Sequence, residues 1–196
     1  MKKIIVVGDD KIGRALVAQI QGRTQIEILL NKSSSIKRIW RLYRRGSLSF
    51  CLLFKMAFAE LIRKNHSIPT LPIIKSNQDL FRVIQENSID EVYLFRAGLI
   101  ISRDILNLGA NILNIHCAKI PDYGGLGSIA RALRDGAYDQ VATLHRVTET
   151  IDQGEILATE PYKLDPNLSY RKNEDIAYAA GMRLLLNWLK IESRKN

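Results

Sequence analysis

The stretch that decides the fold is KKIIVVGDDKIGRALVAQIQGRTQIEILL, residues 2–30. It opens with a run of apolar, mostly β-branched residues that ends at Gly8, which is typical of a buried strand. Apolar residues then recur at helical spacing up to Gly22, and IEILL (26–30) forms a second strand. A strand, a helix and a strand in this order predict parallel pairing with a right-handed crossover.

The same alternation of strand and helix continues along the chain. IPTLPII (68–74) is predicted to be an edge strand because prolines cannot donate to a sheet ladder. Further strands are predicted at DEVYLFRAG (90–98), NILNIH (111–116), VATLHRV (141–147) and EILATEPYKL (155–164), and further helices at 77–88, 102–109, 128–136 and 173–192. The last two strands alternate in the manner of antiparallel pairs. The pattern predicts one α/β domain spanning 1–196, with a doubly wound, mostly parallel sheet and antiparallel late strands.

Composition and charge narrow the class of protein. A content of 46% apolar and 25% charged residues is that of an ordinary globular protein. Two isolated cysteines, Cys51 and Cys117, are too few for a disulfide framework or a zinc site. The apolar run at the start of the chain is too short for a signal peptide, and residues 48–62 are too short and too charged to span a bilayer. A cytoplasmic location is expected.

The net charge of +9 is concentrated in one segment. Residues 32–64 contain nine Lys or Arg (32, 37, 38, 41, 44, 45, 55, 63 and 64) and one acidic residue, Glu60, which is a local charge of +8. We predict a basic helical insertion here, with one or two helices interrupted at Gly46. Such a segment can contact nucleic acid, an anionic membrane surface or a polyphosphate substrate, or it can be a solvated helix face. The apolar residues of 48–62 and the late strands also leave a homodimer open.

The stretch LNIHCAKIPDYGG (113–125) carries the candidate chemistry. Asn114 and His116 are two residues apart, so on a strand their side chains point to the same face, whereas Cys117 points away from them. Ligands of open α/β sheets bind beyond the carboxyl ends of the strands, where this strand ends. Asp152, in the turn between the late strands, is a carboxylate that can orient the imidazole and stabilise its charged form. The alternative is that the Asn and the His are satisfied structurally by loop backbone.

These residues resemble the family of formyltransferases that use 10-formyltetrahydrofolate, which includes glycinamide ribonucleotide transformylase, the catalytic domain of methionyl-tRNA formyltransferase and the sugar N-formyltransferases. The family pattern Asn-x-His-Pro-x-x-x-Pro-x-Tyr-x-Gly is matched by Asn114, His116, Pro121, Tyr123 and Gly125, with Cys in place of the first Pro. The order of the elements that follow also matches: a helix, an Asp-Gly turn at 135–136, VATLHRV and the turn Ile-Asp-Gln-Gly at 151–154. More loosely, LFRAGLIIS (94–102) resembles the segment that lines the folate pocket. The resemblance implies a Rossmann-like formyltransferase fold.

The resemblance also implies roles for individual residues. Asn114 and His116 would polarise the formyl oxygen and hold the tetrahedral intermediate, and Asp152 would tune His116 and help to relay the proton. The cosubstrate 10-formyltetrahydrofolate would contact Phe95, Arg96, Ala97, Leu99, Ile101, Thr150 and Asp152. The amine substrate would contact Lys119, Tyr123, Gly124 and Gly125. The reaction needs no metal, and none is expected; His145 would border the site or be structural.

The sequence departs from the family pattern at places that concern the identity of the amine substrate. The loop GDDKIG (8–13) carries two carboxylates, Asp9 and Asp10, which would repel a phosphate, so glycinamide ribonucleotide is the less favoured substrate. The chain ends soon after its last predicted helix, and on that ground transfer RNA is not expected as a partner. The sequence favours a small-molecule amine, the amino group of a nucleotide-linked amino sugar. A glycinamide ribonucleotide enzyme remains the alternative.

Two other classes of function stay open. A dinucleotide-binding domain would use GDDKIG as its loop, but this loop lacks the G-x-G-x-x-G pattern and no acidic residue follows the second strand. A catalytically inactive basic module could bind nucleic acid or an anionic membrane through residues 32–64. The presence of Asn114, His116 and Asp152 together argues against the second class.

Overall fold

The computed structural model describes residues 1–33, 43–44 and 49–191. The strands are β1 (Lys3–Gly8), β2 (Glu27–Asn31), β3 (Ile73–Ile74), β4 (Glu91–Phe95), β5 (Asn111–His116), β6 (Asp139–Arg146) and β7 (Ile156–Lys163). The helices are α1 (Lys11–Ile20), α2 (Phe50–Ile62), α3 (Asn77–Asn87), α4 (Arg103–Leu106), α5 (Ser128–Arg134) and α6 (Tyr170–Leu189). Within the predicted basic insertion, α2 is helical as expected, while residues 34–42 and 45–48, including the expected break at Gly46, lie outside the described residues.

The strands form one sheet in the order β3-β2-β1-β4-β5-β6-β7. The strands from β3 to β5 are parallel, whereas β6 pairs antiparallel with β5 and β7 antiparallel with β6. The predicted doubly wound sheet with antiparallel late strands is therefore confirmed. The proline-containing segment 68–74 supplies β3 at the edge of the sheet, where a missing N–H costs no ladder hydrogen bond.

Apolar side chains cover both faces of the sheet. In β1, Ile5 and Val7 pack into a core with α1, α5 and α6, while Ile4 and Val6 pack into a second core with α3 and α4. All four side chains are fully buried, which explains why the strand reads as a continuous apolar run rather than an alternating one. No helix in the described ranges is both long and apolar enough to cross a membrane.

The packing of α1 on β1 depends on Gly13, where the helix comes close to the backbone of the strand. A Cβ atom at Gly13 would lie 1.9 Å from the carbonyl oxygen of Gly8, so no larger residue fits while α1 stays in place. The helix begins after Asp10, whose carboxylate accepts a hydrogen bond from the Gly13 amide at 2.8 Å. This start places Asp10 at the carboxyl edge of the sheet, beside the end of β4.

Candidate active site

The three residues predicted to form the site meet at the carboxyl end of β5. Asn114 and His116 lie on the same face of this strand, and Asp152 reaches them from the turn between β6 and β7. Asp152 Oδ2 lies 3.3 Å from His116 Nδ1, and Asp152 Oδ1 lies 3.5 Å from Asn114 Nδ2. The side chains of His116 and Asp152 are only 13% and 10% exposed, so these polar groups interact with one another rather than with bulk solvent.

Asp152 is held in place by backbone as well as by side chains. It adopts a left-handed conformation with φ of 51°, and its Oδ2 accepts a hydrogen bond from the Gly125 amide at 2.7 Å. Burial alone would raise the pKa of this carboxyl group. Contact with His145, the charge of His116 and the Gly125 amide outweigh burial and lower the pKa of Asp152 to about 2. Asp152 is therefore ionised at neutral pH.

His116 is placed between two oxygen atoms. Its Nδ1 faces Asp152, and its Nε2 lies 2.8 Å from the carbonyl oxygen of Tyr123. Burial lowers the pKa of His116 below its ordinary value, against the opposing effect of the Asp152 carboxylate. A neutral imidazole has one N–H, so it can donate to only one of these two oxygen atoms. A ligand that displaces the Tyr123 carbonyl would therefore change the protonation of His116.

His145 completes the cluster. The sequence left open whether this residue borders the site or is structural. It lies directly opposite Asn114 in the pairing of β5 with β6. Its Nε2 lies 3.1 Å from Asn114 Nδ2 and 3.4 Å from Asp152 Oδ1, while its Nδ1 lies 3.1 Å from the Arg146 carbonyl oxygen. The His145 ring thus connects the Asn114 amide, the Asp152 carboxylate and the backbone of β6.

A cavity of about 280 Å³ opens beside this cluster. It is lined by residues 94, 96–101, 114–117, 125–129, 145 and 147–152, and by Met56, Tyr170, Glu174 and Tyr178. Six of the residues predicted for the cosubstrate are in this lining: Arg96, Ala97, Leu99, Ile101, Thr150 and Asp152. Phe95 is not, because its side chain points into the core and is fully buried.

The residues predicted for the amine substrate are more dispersed. Gly125 lines the cavity, and Tyr123 contributes its carbonyl oxygen to His116. A Cβ atom at Gly124 would lie 3.2 Å from that of Asp152, so this glycine permits the close approach of the two loops. Lys119 lies outside the lining, with its side chain 57% exposed and its Nζ 2.9 Å from Asp122.

Cys117, the residue just after β5, packs in the core below α6 and borders the cavity from that side. Burial raises the pKa of its thiol to about 12. The group is therefore a protonated thiol at neutral pH and not a thiolate nucleophile. This agrees with the direction that strand geometry predicts for its side chain.

A second polar cluster, which the sequence did not predict, borders the cavity between β1, β4 and α6. Arg96 lies just beyond β4 in a left-handed conformation with φ of 56°. Its guanidinium donates to Asp10 Oδ2, with Nε at 2.7 Å, and lies 4.4 Å from the centre of the Tyr178 ring. Tyr170 donates to Glu174 at 2.8 Å. The spacing of 170, 174 and 178 by four residues along one helix face was the available signal.

Comparisons with known proteins identify a family that this sequence matches. Residues 58–187 match the family model described as formyl transferase. The methionyl-tRNA formyltransferase of Blochmanniella floridana is 28% identical over 170 residues, which cover 86% of this chain and 47% of that protein. The corresponding enzyme of Caldicellulosiruptor saccharolyticus is 28% identical over 123 residues, covering 60% of this chain and 38% of that protein. The chain thus spans less than half the length of these relatives.

Solved structures share the fold over nearly the whole chain. The phosphoribosylglycinamide formyltransferase of Streptococcus pneumoniae superposes with a TM-score of 0.65 at 18% identity, covering 97% of this chain and 98% of that one. A Mycobacterium tuberculosis protein with suspected sugar N-formyltransferase activity gives a TM-score of 0.61 at 15% identity, covering 100% and 73%. The family model covers well over half of the chain, and the protein belongs to the formyl transferase family.

Proposed function

We propose that the protein transfers the formyl group of 10-formyltetrahydrofolate to a primary amine. The observation that carries this proposal is the contact of Asn114, His116 and Asp152 beside a largely apolar cavity at the carboxyl end of β5. Membership of the formyl transferase family supports the same reaction. In this proposal the donor occupies the part of the cavity formed by residues 96–101 and 147–152.

The proposed reaction is an acyl transfer through a tetrahedral intermediate. The amine nitrogen forms a bond to the formyl carbon, and the electrons of the carbonyl double bond move to the formyl oxygen. Asn114 Nδ2 has one hydrogen directed to His145 and a second in only a long, 3.5 Å contact with Asp152, so a ligand oxygen can take the second. A donor placed where negative charge develops is worth roughly 10²- to 10³-fold in kcat.

His116 and Asp152 handle the proton in this mechanism. The attacking amine loses a proton as the new C–N bond forms, and the leaving folate nitrogen gains one as its bond to the formyl carbon breaks. Because the pKa of Asp152 is about 2, its carboxylate is a weak base that stays ionised. Its role is to orient His116 and to stabilise the charged imidazole during the transfer.

For the acceptor we propose the amino group of a nucleotide-linked amino sugar, bound near Lys119, Tyr123, Gly124 and Gly125. The N-terminus of α1 is already occupied, since Asp10 accepts from the Gly13 amide and pairs with Arg96, so it offers no free site for a monophosphate such as that of glycinamide ribonucleotide. Positive charge is instead concentrated in residues 32–64, and α2 of this segment contributes Met56 to the cavity. A diphosphate would be attracted to that side.

A second candidate acceptor is methionyl-tRNA. The two curated relatives described above are methionyl-tRNA formyltransferases, and a local charge of +8 suits a nucleic-acid partner as well as a diphosphate. The two candidates differ in the size of the acceptor and in the salt dependence of binding. They can therefore be separated directly by assay.

The test is a transfer assay with the purified protein, 10-formyltetrahydrofolate and a panel of acceptors: nucleotide-linked amino sugars, methionyl-tRNA and glycinamide ribonucleotide. We expect tetrahydrofolate release and a formylated amino sugar. Asn114→Ala, His116→Ala and Asp152→Asn should each lower kcat by roughly 10²- to 10³-fold. Matched controls outside the cavity, Asn87→Ala, His66→Ala and Asp139→Asn, should keep the rate of the unsubstituted protein.

Two outcomes would change the conclusion. Full turnover in the three site variants would show that Asn114, His116 and Asp152 are not the catalytic residues. Transfer to methionyl-tRNA alone would replace the amino sugar by the second candidate, while leaving the reaction and the site as proposed.

A further inference from the structure

One face of α2 exposes an aromatic and aliphatic stripe. Phe50, Phe54, Phe58 and Leu61 follow one another at spacings of four, four and three residues, and so lie along one side of the helix. They are 72%, 64%, 50% and 73% exposed, respectively. The rings of Phe54 and Phe58 stack with their centres 6.2 Å apart. Contiguous exposed apolar surface of this kind marks an interaction site in a folded protein.

The opposite side of α2 is firmly attached to the domain. Ala59 is buried, and Glu60 accepts a hydrogen bond from the Lys11 amide at 2.7 Å. Just beyond the helix, Arg63 donates to Glu174 at 2.7 Å and to Asp175 at 2.8 Å, which ties α2 to α6. The stripe therefore faces outward on a helix whose orientation is set by polar contacts on its other side.

The charge around the stripe is positive. Glu60, the one acidic residue in the sequence from 32 to 64, is turned towards α1 by its contact with Lys11. Lys55 and Lys64 are exposed on or next to α2. Within the described residues 49–64, the outward surface thus combines large apolar side chains with cations and presents no free carboxylate.

We propose that α2 docks on the surface of an anionic lipid bilayer, with the stripe of Phe50, Phe54, Phe58 and Leu61 inserted at the headgroup level and Lys55 and Lys64 contacting lipid phosphates. Aromatic and aliphatic side chains beside Lys and Arg are what an interfacial helix requires. The proposal stands independently of the proposed transfer reaction, because it rests on a surface and not on the cavity.

Two other occupants fit this surface less well. A second copy of the chain that docked on this stripe would bring its Lys55 and Lys64 against those of the first copy, and like charges would oppose the contact. A nucleic acid would pair with the cations but would leave four large apolar side chains against phosphates and water. An anionic bilayer satisfies both the apolar and the cationic groups.

The test is co-sedimentation of the full chain with vesicles of phosphatidylcholine alone and of phosphatidylcholine mixed with phosphatidylglycerol. We expect sedimentation with the anionic vesicles, little with the neutral ones, and weaker binding as salt is raised. The double variant Phe54→Ser, Phe58→Ser should bind at least about tenfold more weakly, because it removes the two stacked rings from the insertion. Lys55→Glu with Lys64→Glu should also reduce binding to anionic vesicles.

Matched controls are Ile156→Ser and Lys163→Glu on β7, at the far edge of the sheet, which should bind vesicles like the unsubstituted chain. Circular dichroism and binding of a folate analogue check that each variant is folded, since Met56 of α2 lines the cavity. Equal binding to both kinds of vesicle, or to neither, would overturn the proposal. So would a dimer, detected by sedimentation velocity, that the Phe54→Ser, Phe58→Ser variant abolishes, or binding of transfer RNA with no binding of vesicles.

Discussion

At the scale of single residues, Asp152 connects the elements of the candidate site. It contacts His116 from β5 and His145 from β6, and it accepts from the Gly125 amide in the loop that follows β5. These contacts come from parts of the chain that are far apart in sequence. The geometry of the cluster therefore depends on one carboxylate whose charge is stabilised by all three partners.

This charge should be visible as pH-dependent stability. The pKa of Asp152 is lowered from 3.8 to about 2 in the folded protein, so the ionised group contributes about 2 kcal/mol to the free energy of unfolding. Because the folded-state pKa is the lower one, this contribution is fully present above about pH 4 and is lost as the pH falls towards 2. Asp152→Asn should be less stable than the unsubstituted protein at neutral pH, with a difference that shrinks in this window.

Urea unfolding at a series of pH values measures that difference. Asp139→Asn is the matched control, because the Asp139 side chain is 90% exposed and its ion pair with Lys163 is long, at 3.6 Å. This control should show no such change with pH. A difference between Asp152→Asn and the unsubstituted protein that is the same at pH 2 and pH 7 would contradict the role given to the Asp152 charge.

At the scale of elements, the approach of α1 to β1 brings Asp10 to the end of β4, where it pairs with Arg96. Gly13→Ala would place a Cβ atom 1.9 Å from the Gly8 carbonyl oxygen and force the helix outward. We expect a loss of roughly 1–3 kcal/mol in the free energy of unfolding, measured by denaturant titration. Because Asp10 caps α1 and pairs with Arg96 in the cavity lining, the shift should also weaken binding of a folate analogue.

The control for this substitution is Gly22→Ala. Gly22 has a φ of 72°, but no atom lies within 4 Å of a Cβ placed there. Its cost should be about 1 kcal/mol, from backbone conformation alone, with no effect on ligand binding. Equal effects of the two substitutions on binding would rule out the close contact with Gly8 as the cause.

The attachment of α2 to α6 depends on Arg63. Its side chain is 8% exposed and pairs with Glu174, which is 5% exposed. Arg63→Met would leave the Glu174 carboxylate buried without this partner, and loss of one member of a buried pair costs about 3 kcal/mol. Hydrogen exchange should show faster opening of α2 in this variant.

Arg171→Met is the matched control on α6. Arg171 pairs with Asp175 at 3.1 Å, but both side chains are more than 30% exposed, so the expected cost is below about 1 kcal/mol. Unchanged exchange of α2 in Arg63→Met would mean that the helix is held by other contacts.

At the scale of the whole molecule, the cavity joins residues from β4, β5, β6, α2 and α6, so a ligand that fills it should stabilise the entire domain. A non-reactive folate analogue at 100 times its Kd is expected to raise the free energy of unfolding by about 2.7 kcal/mol. Leu99→Asp, which puts a charge into the apolar lining, should abolish this gain. Thermal unfolding with and without the analogue measures it.

The control for this prediction is Ile156→Asp, which adds the same charge at an exposed apolar residue outside the cavity lining. This variant should keep the full stabilisation by the analogue. An analogue that fails to stabilise the unsubstituted, folded protein would argue against the proposed donor.

Much of the fold was predictable because local patterns determine it. The apolar run of β1, the helical spacing of 11–20 and the prolines before β3 each act over a few residues, and the structure has the elements that they predict. The shared face of Asn114 and His116 was predictable for the same reason, since it follows from the period of a strand. Residues 34–42 and 45–48 of the basic insertion lie outside the described residues, so their predicted structure stays a prediction.

The sequence by itself determined the class of fold and the shared face of Asn114 and His116 on β5, and through the family pattern it led to the prediction of Asp152 as their partner. Only the tertiary structure decided that His145 contacts Asn114, that Asp10 fills the N-terminus of α1 and pairs with Arg96, and that the stripe on α2 faces outward. The physical reason is the separation along the chain over which each kind of interaction acts. Strand and helix periodicities act between near neighbours, whereas these contacts depend on strand register and helix packing, which bring together residues separated by dozens of positions.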